Sequence, residues 1–131
     1  MKKIRAVSLF ILVAFSLTAI VRADEFKIKE YADFHKVLHN LQHEALPKND
    51  MATIRKSAKE LIRLGDAIVK LGVPAGIREE KVESFKKGLE DFSKALFRYG
   101  ADAESGSDAN LKKSYEAVHE SFEELADMLP R

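Results

Sequence analysis

The stretch "VESFKKGLEDFSKALFRY", Val82 to Tyr99, decides the fold class. Its large apolar residues, Val82, Phe85, Leu89, Phe92, Leu96 and Tyr99, are spaced 3, 4, 3, 4 and 3 apart, with charged residues filling the gaps. A helix turns once in about 3.6 residues, so this spacing draws one apolar stripe along a helix and leaves the opposite face wet. A strand would need alternation, and there is none.

The same seven-residue pattern recurs on both sides. Upstream, Tyr31, Phe34, Leu38, Leu41 and Ala45 form a stripe, predicting helix 1 from Phe26 to Leu46. Pro47-Lys48-Asn49-Asp50 breaks it, with Asn49 or Asp50 as the cap of helix 2, Met51 to Leu71, whose stripe is Ile54, Ala58, Leu61, Gly65 and Ile68. "LGVPAG", Leu71 to Gly76, is the next stop, and helix 3 follows from Arg78 to Tyr99. Gly100 to Asn110 reads as a polar, flexible loop, with Ser107 or Asp108 capping helix 4. That helix carries Leu111, Tyr115, Val118, Phe122, Leu125 and Leu129. Four apolar-striped helices with short connections predict an all-α fold, an up-down-up-down antiparallel four-helix bundle.

The N-terminus is of another kind. Lys2, Lys3 and Arg5 precede an apolar run from Ala6 to Val21, and Val21-Arg22-Ala23 supplies a small-residue cleavage site. Residues 1–23 are therefore expected to be a secretory signal peptide, leaving 24–131 as the helical domain. The expected location is the periplasm, with no membrane association after cleavage. The chain has no cysteine, which removes disulfides, thiolate metal sites and lipidation through an N-terminal Cys. Cleavage takes the balance from 22 basic and 21 acidic residues to 18 and 21, a mildly acidic protein and a poor fit to nucleic acid. About 108 residues remain, enough for one modest core.

Histidine carries the candidate chemistry. His35, His39 and His43 recur at intervals of four in helix 1, and the fourth, His119, lies in helix 4. With Tyr31, Leu38 and Ala45 at heptad position a, His35 falls at e; with Tyr115, Phe122 and Leu129 at a, His119 falls at e as well. In an antiparallel pair these positions face each other. Each stands about 11 residues from the end of the helices that meet, so their heights match at about 1.5 Å per residue. His39 lies about 40° and His43 about 80° further round helix 1. The expected site is a divalent transition metal, Zn, Cu or Ni, held by His35, His39 and His119, with Glu123 or Glu116 one turn from His119 completing the shell. His43 is a weaker candidate. The role this implies is metal buffering or sensing. No catalytic triad, phosphate loop or carboxylate pair is present, so no enzymatic activity is expected. Nothing in the composition singles out a protein partner.

Two resemblances bear on these residues. "YEAVHESFEEL", Tyr115 to Leu125, resembles the ligand helix of the cytochrome b562 family, and "FKKGLEDFSKAL", Phe85 to Leu96, resembles its third helix. That family holds a non-covalent haem between helices 1 and 4, on a Met early in helix 1 and a His in helix 4. His119 falls at the place of the haem histidine, whereas Phe34-His35 occupies the place of the Met. The resemblance thus implies an alternative, a b-type haem electron carrier with His35 and His119 as axial pair. No C-x-x-C-H is present for covalent attachment. "FHKVLHNLQHEALPKND", Phe34 to Asp50, also resembles small exported bundle proteins with an "FH…LxxxxHExLPxxD" pattern and a "VHxxFEEL"-like last helix. This likeness implies His35, His43 and His119 as a set and carries no activity with it. A cofactor-free interaction or chaperone-like bundle is the third reading.

Export has a direct test. Mass spectrometry of the protein from its native host is expected to find Asp24 as the N-terminal residue. Retention of Met1, or recovery only in membranes, removes the signal-peptide reading.

Overall fold

The computed structural model describes residues 26–130. The candidate signal peptide and its cleavage site lie outside the described residues. Within them every regular element is helical, and no strand occurs. Helix α1 is Lys29–Asn40, and it runs into a π turn, Leu41–Ala45. Helices α2 (Met51–Lys56) and α3 (Ala58–Leu71) meet at Ser57. Ser57 N–H closes α2 on the Thr53 carbonyl and Leu61 N–H opens α3 on the Ser57 carbonyl, both at 3.0 Å. A short 3₁₀ turn, Glu79–Lys81, leads into α4 (Val82–Ser105), and α5 is Asp108–Met128. No helix among the described residues is long and apolar enough to cross a membrane.

Local chemistry explains the turns. Asn49 adopts φ 51°, the left-handed conformation that Asn tolerates better than most residues. Asn49 N–H donates to the Leu46 carbonyl at 3.0 Å, and Asp50 N–H to the Ala45 carbonyl at 2.9 Å. These are the paired bonds of a Schellman stop. Asp50 then opens α2, its carboxylate accepting from the Thr53 N–H (3.1 Å) and hydroxyl (2.6 Å). Those bonds hold the Asp50 carboxyl below its usual range. Of the two caps expected at each start, the structure uses Asp50 and Ser107; the latter accepts from Asn110 N–H at 3.1 Å.

The expected loop from Gly100 to Asn110 is mostly helix. Helix α4 continues to Ser105, and the α4–α5 turn is Gly106–Ser107. Arg55 supplies the reason. Its guanidinium donates to the carbonyls of Asp102 (2.9 Å), Ala103 (3.0 Å) and Gly106 (3.1 Å) and pairs with Asp108 (2.9 Å). The last carbonyls of a helix have no partners of their own, and a cation suits that end of its dipole. No local sequence pattern announces a donor from α2.

All the helices share one core, whose largest members are Tyr31, Tyr99, Tyr115, Phe34, Phe85, Phe92 and Phe122. Burying each such ring contributes about 1.5–3 kcal/mol. Helix α4 lies along α5 most intimately, α3 packs on α1 and α4, and α2 reaches α5, α4 and the π turn. Small residues set these approaches. A Cβ on Gly65 would stand 2.5 Å from Leu96 Cδ1, and one on Gly88 would stand 2.9 Å from a Leu125 methyl. Helices α1 and α5 meet differently, through large side chains bridging a wider backbone separation.

Three buried tyrosines test the polar accounting. Tyr99 donates to the Ile54 carbonyl. Tyr115 reaches Gln42 Oε1 (3.1 Å) and the Leu38 carbonyl (3.4 Å). The Tyr31 hydroxyl is buried with no hydrogen-bond partner. Burial pushes all three phenols well above their ordinary range. Tyr31→Phe and Tyr99→Phe should therefore act in opposite directions. The first removes an unpaired buried hydroxyl and should stabilise by about 1 kcal/mol, while the second orphans a carbonyl and should cost about as much. Thermal melts should show both as shifts of about 4–8 °C, up for Tyr31→Phe and down for Tyr99→Phe.

Candidate metal centre

The apolar stripe of α1 turns Tyr31, Phe34 and Leu38 into the core, and the π turn continues it with Leu41 and Ala45. The histidines sit beside that stripe. His35 and His39 are half-buried, and His43 is exposed. Their rings form a ladder, with centroids 5.7 Å apart for His35 and His39 and 4.2 Å apart for His39 and His43.

The unequal steps follow from the backbone. In an α-helix, residues four apart are offset by about 40°. The Leu46 N–H donates to the Leu41 carbonyl, five residues back, at 2.9 Å. A turn of this kind holds more residues, so it breaks the regular angular step of the α-helix between His39 and His43. Pro47 gives the turn its cause: it has no N–H for the carbonyl four residues back, and its ring crowds that carbonyl. Tyr115 of α5 holds the segment from the other side through Gln42 and Leu38.

His35 is placed by aromatic packing. Its ring stands edge-on to Phe26 (5.1 Å, 66°) and nearly parallel to Phe122 (6.1 Å, 18°). Phe122 also touches Phe26 (5.8 Å), Tyr31 (6.0 Å), Phe34 (4.8 Å) and Phe92 (6.4 Å). The space beside His35, between α1 and α5, is thus filled with rings.

On α5, His119 is half-buried, and its Nε2 lies 3.4 Å from Glu123 Oε1, the neighbour one turn on. Glu116 is exposed. The heptad register pairs His35 with His119 across the helices; the closest imidazoles in the described ring contacts are His39 and His43 of one helix. Among the described residues, no three His, Asp or Glu side chains are grouped as a ready-made metal site. The closest imidazole rings the fold provides are those of His39 and His43, tilted 37° to each other. Helical spacing favours His39 over His43 as a companion of His35 and His119, whereas the His39 ring lies nearer to His43 (4.2 Å) than to His35 (5.7 Å). Phe26, Gln42, Tyr115 and Phe122, which position the ladder, carried no functional signal in the sequence beyond their apolar or polar type.

The chain matches no protein-family model, no curated protein and no solved structure. The site is therefore read from its own chemistry.

Phe122 is the residue on which this region's packing turns. Phe122→Ala should cost about 3–5 kcal/mol, because five ring contacts open onto a cavity. Urea denaturation followed by circular dichroism measures the loss.

Proposed function

We propose that the protein is an exported, periplasmic helical bundle that binds a divalent transition metal, Zn, Cu or Ni, through the histidines of its first helix. In this reading α2 and α3 together form the second of four helices, and the chain runs up-down-up-down with antiparallel neighbours. Short connections and the packing of α3 on α1 and α4, and of α4 on α5, support that arrangement.

The observation that carries the metal reading is the 4.2 Å approach of the His39 and His43 rings at the π turn. Imidazoles four residues apart on one helix can hold a single ion between them, each nitrogen about 2.0–2.1 Å from a zinc ion. Imidazole is borderline in softness and suits Zn, Cu and Ni alike, so the donor set selects this class of ion over Ca or Mg. His35 stands next along the ladder, while His119 and Glu123 form a separate donor pair on α5. The role is reversible binding and buffering of metal, with no catalytic step.

The haem alternative requires a porphyrin-wide slot between His35 and His119. Phe122 lies parallel against His35 and is itself wedged among Phe26, Tyr31, Phe34 and Phe92. The residues present do not fit that group without repacking the core, and the metal reading is preferred on that ground.

Titration of the purified protein with Zn(II), Cu(II) and Ni(II) by calorimetry, and with haem by visible absorption, separates the readings. The expected result is metal affinity tighter than millimolar, lost in the double variant His39→Ala/His43→Ala and kept in His119→Ala. Bound imidazole must be neutral, so acid should release the metal, and saturating metal should raise the melting temperature. Loss of binding only in His119→Ala would return the site to the His35–His119 pairing. A sharp Soret band on haem addition would favour the cytochrome reading, and no binding at all would leave a cofactor-free bundle.

A further inference from the structure

The metal site proposed above is half of a coordination shell. Zinc in a closed site takes four ligands, and His39 and His43 supply two. Several polar side chains around them have partners of their own. Gln42 accepts from Tyr115, the Glu44 carboxylate pairs with Lys48 at 3.5 Å, the His35 ring packs against Phe26 and Phe122, and His119 faces Glu123. No third His, Asp or Glu among the described residues is grouped with the pair. The pair also lies where another molecule can reach it, since His43, Asn40 and Lys36 are exposed on the same side of the helix.

We infer that a second copy of this chain completes the shell, so that one zinc ion bridges two protomers through His39 and His43 of each. This inference rests on the metal reading above. A two-fold axis through the ion repeats the pair and yields four imidazole nitrogens, a set zinc accepts in tetrahedral geometry. Such a contact is isologous: each protomer offers the same helix face. It needs no large apolar patch, because the four metal–nitrogen bonds hold the protomers together and the exposed side chains beside them are polar. The dimer then forms in response to metal and dissociates when the metal is withdrawn.

Sedimentation velocity of the purified protein with added Zn(II), alongside calorimetric stoichiometry, tests this. The expected result is one zinc per two chains and an approximately twofold rise in mass, reversed by EDTA. His43→Ala should stay monomeric with zinc present, and its unchanged helical circular dichroism would show that it has folded; His119→Ala should dimerise normally. One zinc per chain on a monomer would overturn the bridged dimer and leave the metal reading standing. No zinc binding would overturn both. A dimer indifferent to EDTA, or one abolished by His119→Ala, would place the contact elsewhere and overturn the inference.

Discussion

Phe122 holds the two outer helices of this protein in register. It is 1% exposed, and its ring touches Phe26, Tyr31, Phe34, His35 and Phe92, so it joins α5 to α1 and to α4. Helices α1 and α5 do not approach closely along their backbones; large rings fill the gap. That packing sets the rotation of α1, and the rotation of α1 sets where every histidine on it points. With Phe34 and Tyr31 pinned inward, His35 is drawn to the edge of the aromatic cluster and His43 is left in water.

The polar contacts refine this apolar frame. Tyr99 ties α4 to α2, Tyr115 ties α5 to the π turn, and Arg55 closes the α4–α5 turn from α2. Each spans two elements far apart in the chain; Tyr99 and Arg55 satisfy buried or terminal backbone carbonyls, where an unmet partner would be costly, and Tyr115 pairs with the Gln42 side chain. The surface ion pairs do something weaker. Glu60–Arg63, Glu83–Lys86 and Glu90–Lys94 are local pairs on exposed helix faces, screened by solvent and salt. They support individual helices without specifying how those helices pack.

The histidine ladder ends where the backbone of the first helix becomes irregular. Histidines at steady four-residue intervals on a regular helix would stand at even steps, each offset from the last. Beside the π turn before Pro47 the ring spacing shortens from 5.7 Å to 4.2 Å, while the His35 ring packs against Phe26 and Phe122. Tyr115 stabilises the distorted segment from the neighbouring helix. The close ring pair thus lies where a helix ending, an apolar register and a long-range hydrogen bond from α5 coincide.

Much of the architecture was written in the order of residues. The 3, 4, 3, 4 spacing around Val82–Tyr99 and its counterparts identified the helices and their buried faces, because helical periodicity is a local property that an apolar core reads directly. The cap sites were legible to within one residue, Asn49 or Asp50 and Ser107 or Asp108, because a side-chain oxygen reaches an N–H three residues on without help from elsewhere. The extension of α4 to Ser105 was not legible, since it depends on Arg55, about fifty residues earlier in the chain, taking the terminal carbonyls. Nor was the closeness of the His39 and His43 rings: equal spacing in sequence becomes unequal spacing in space beside the π turn at Leu41–Ala45. The residues of one helix could nominate donors, but which of them meet was decided by a turn type and by packing against α5, both of which belong to the tertiary structure.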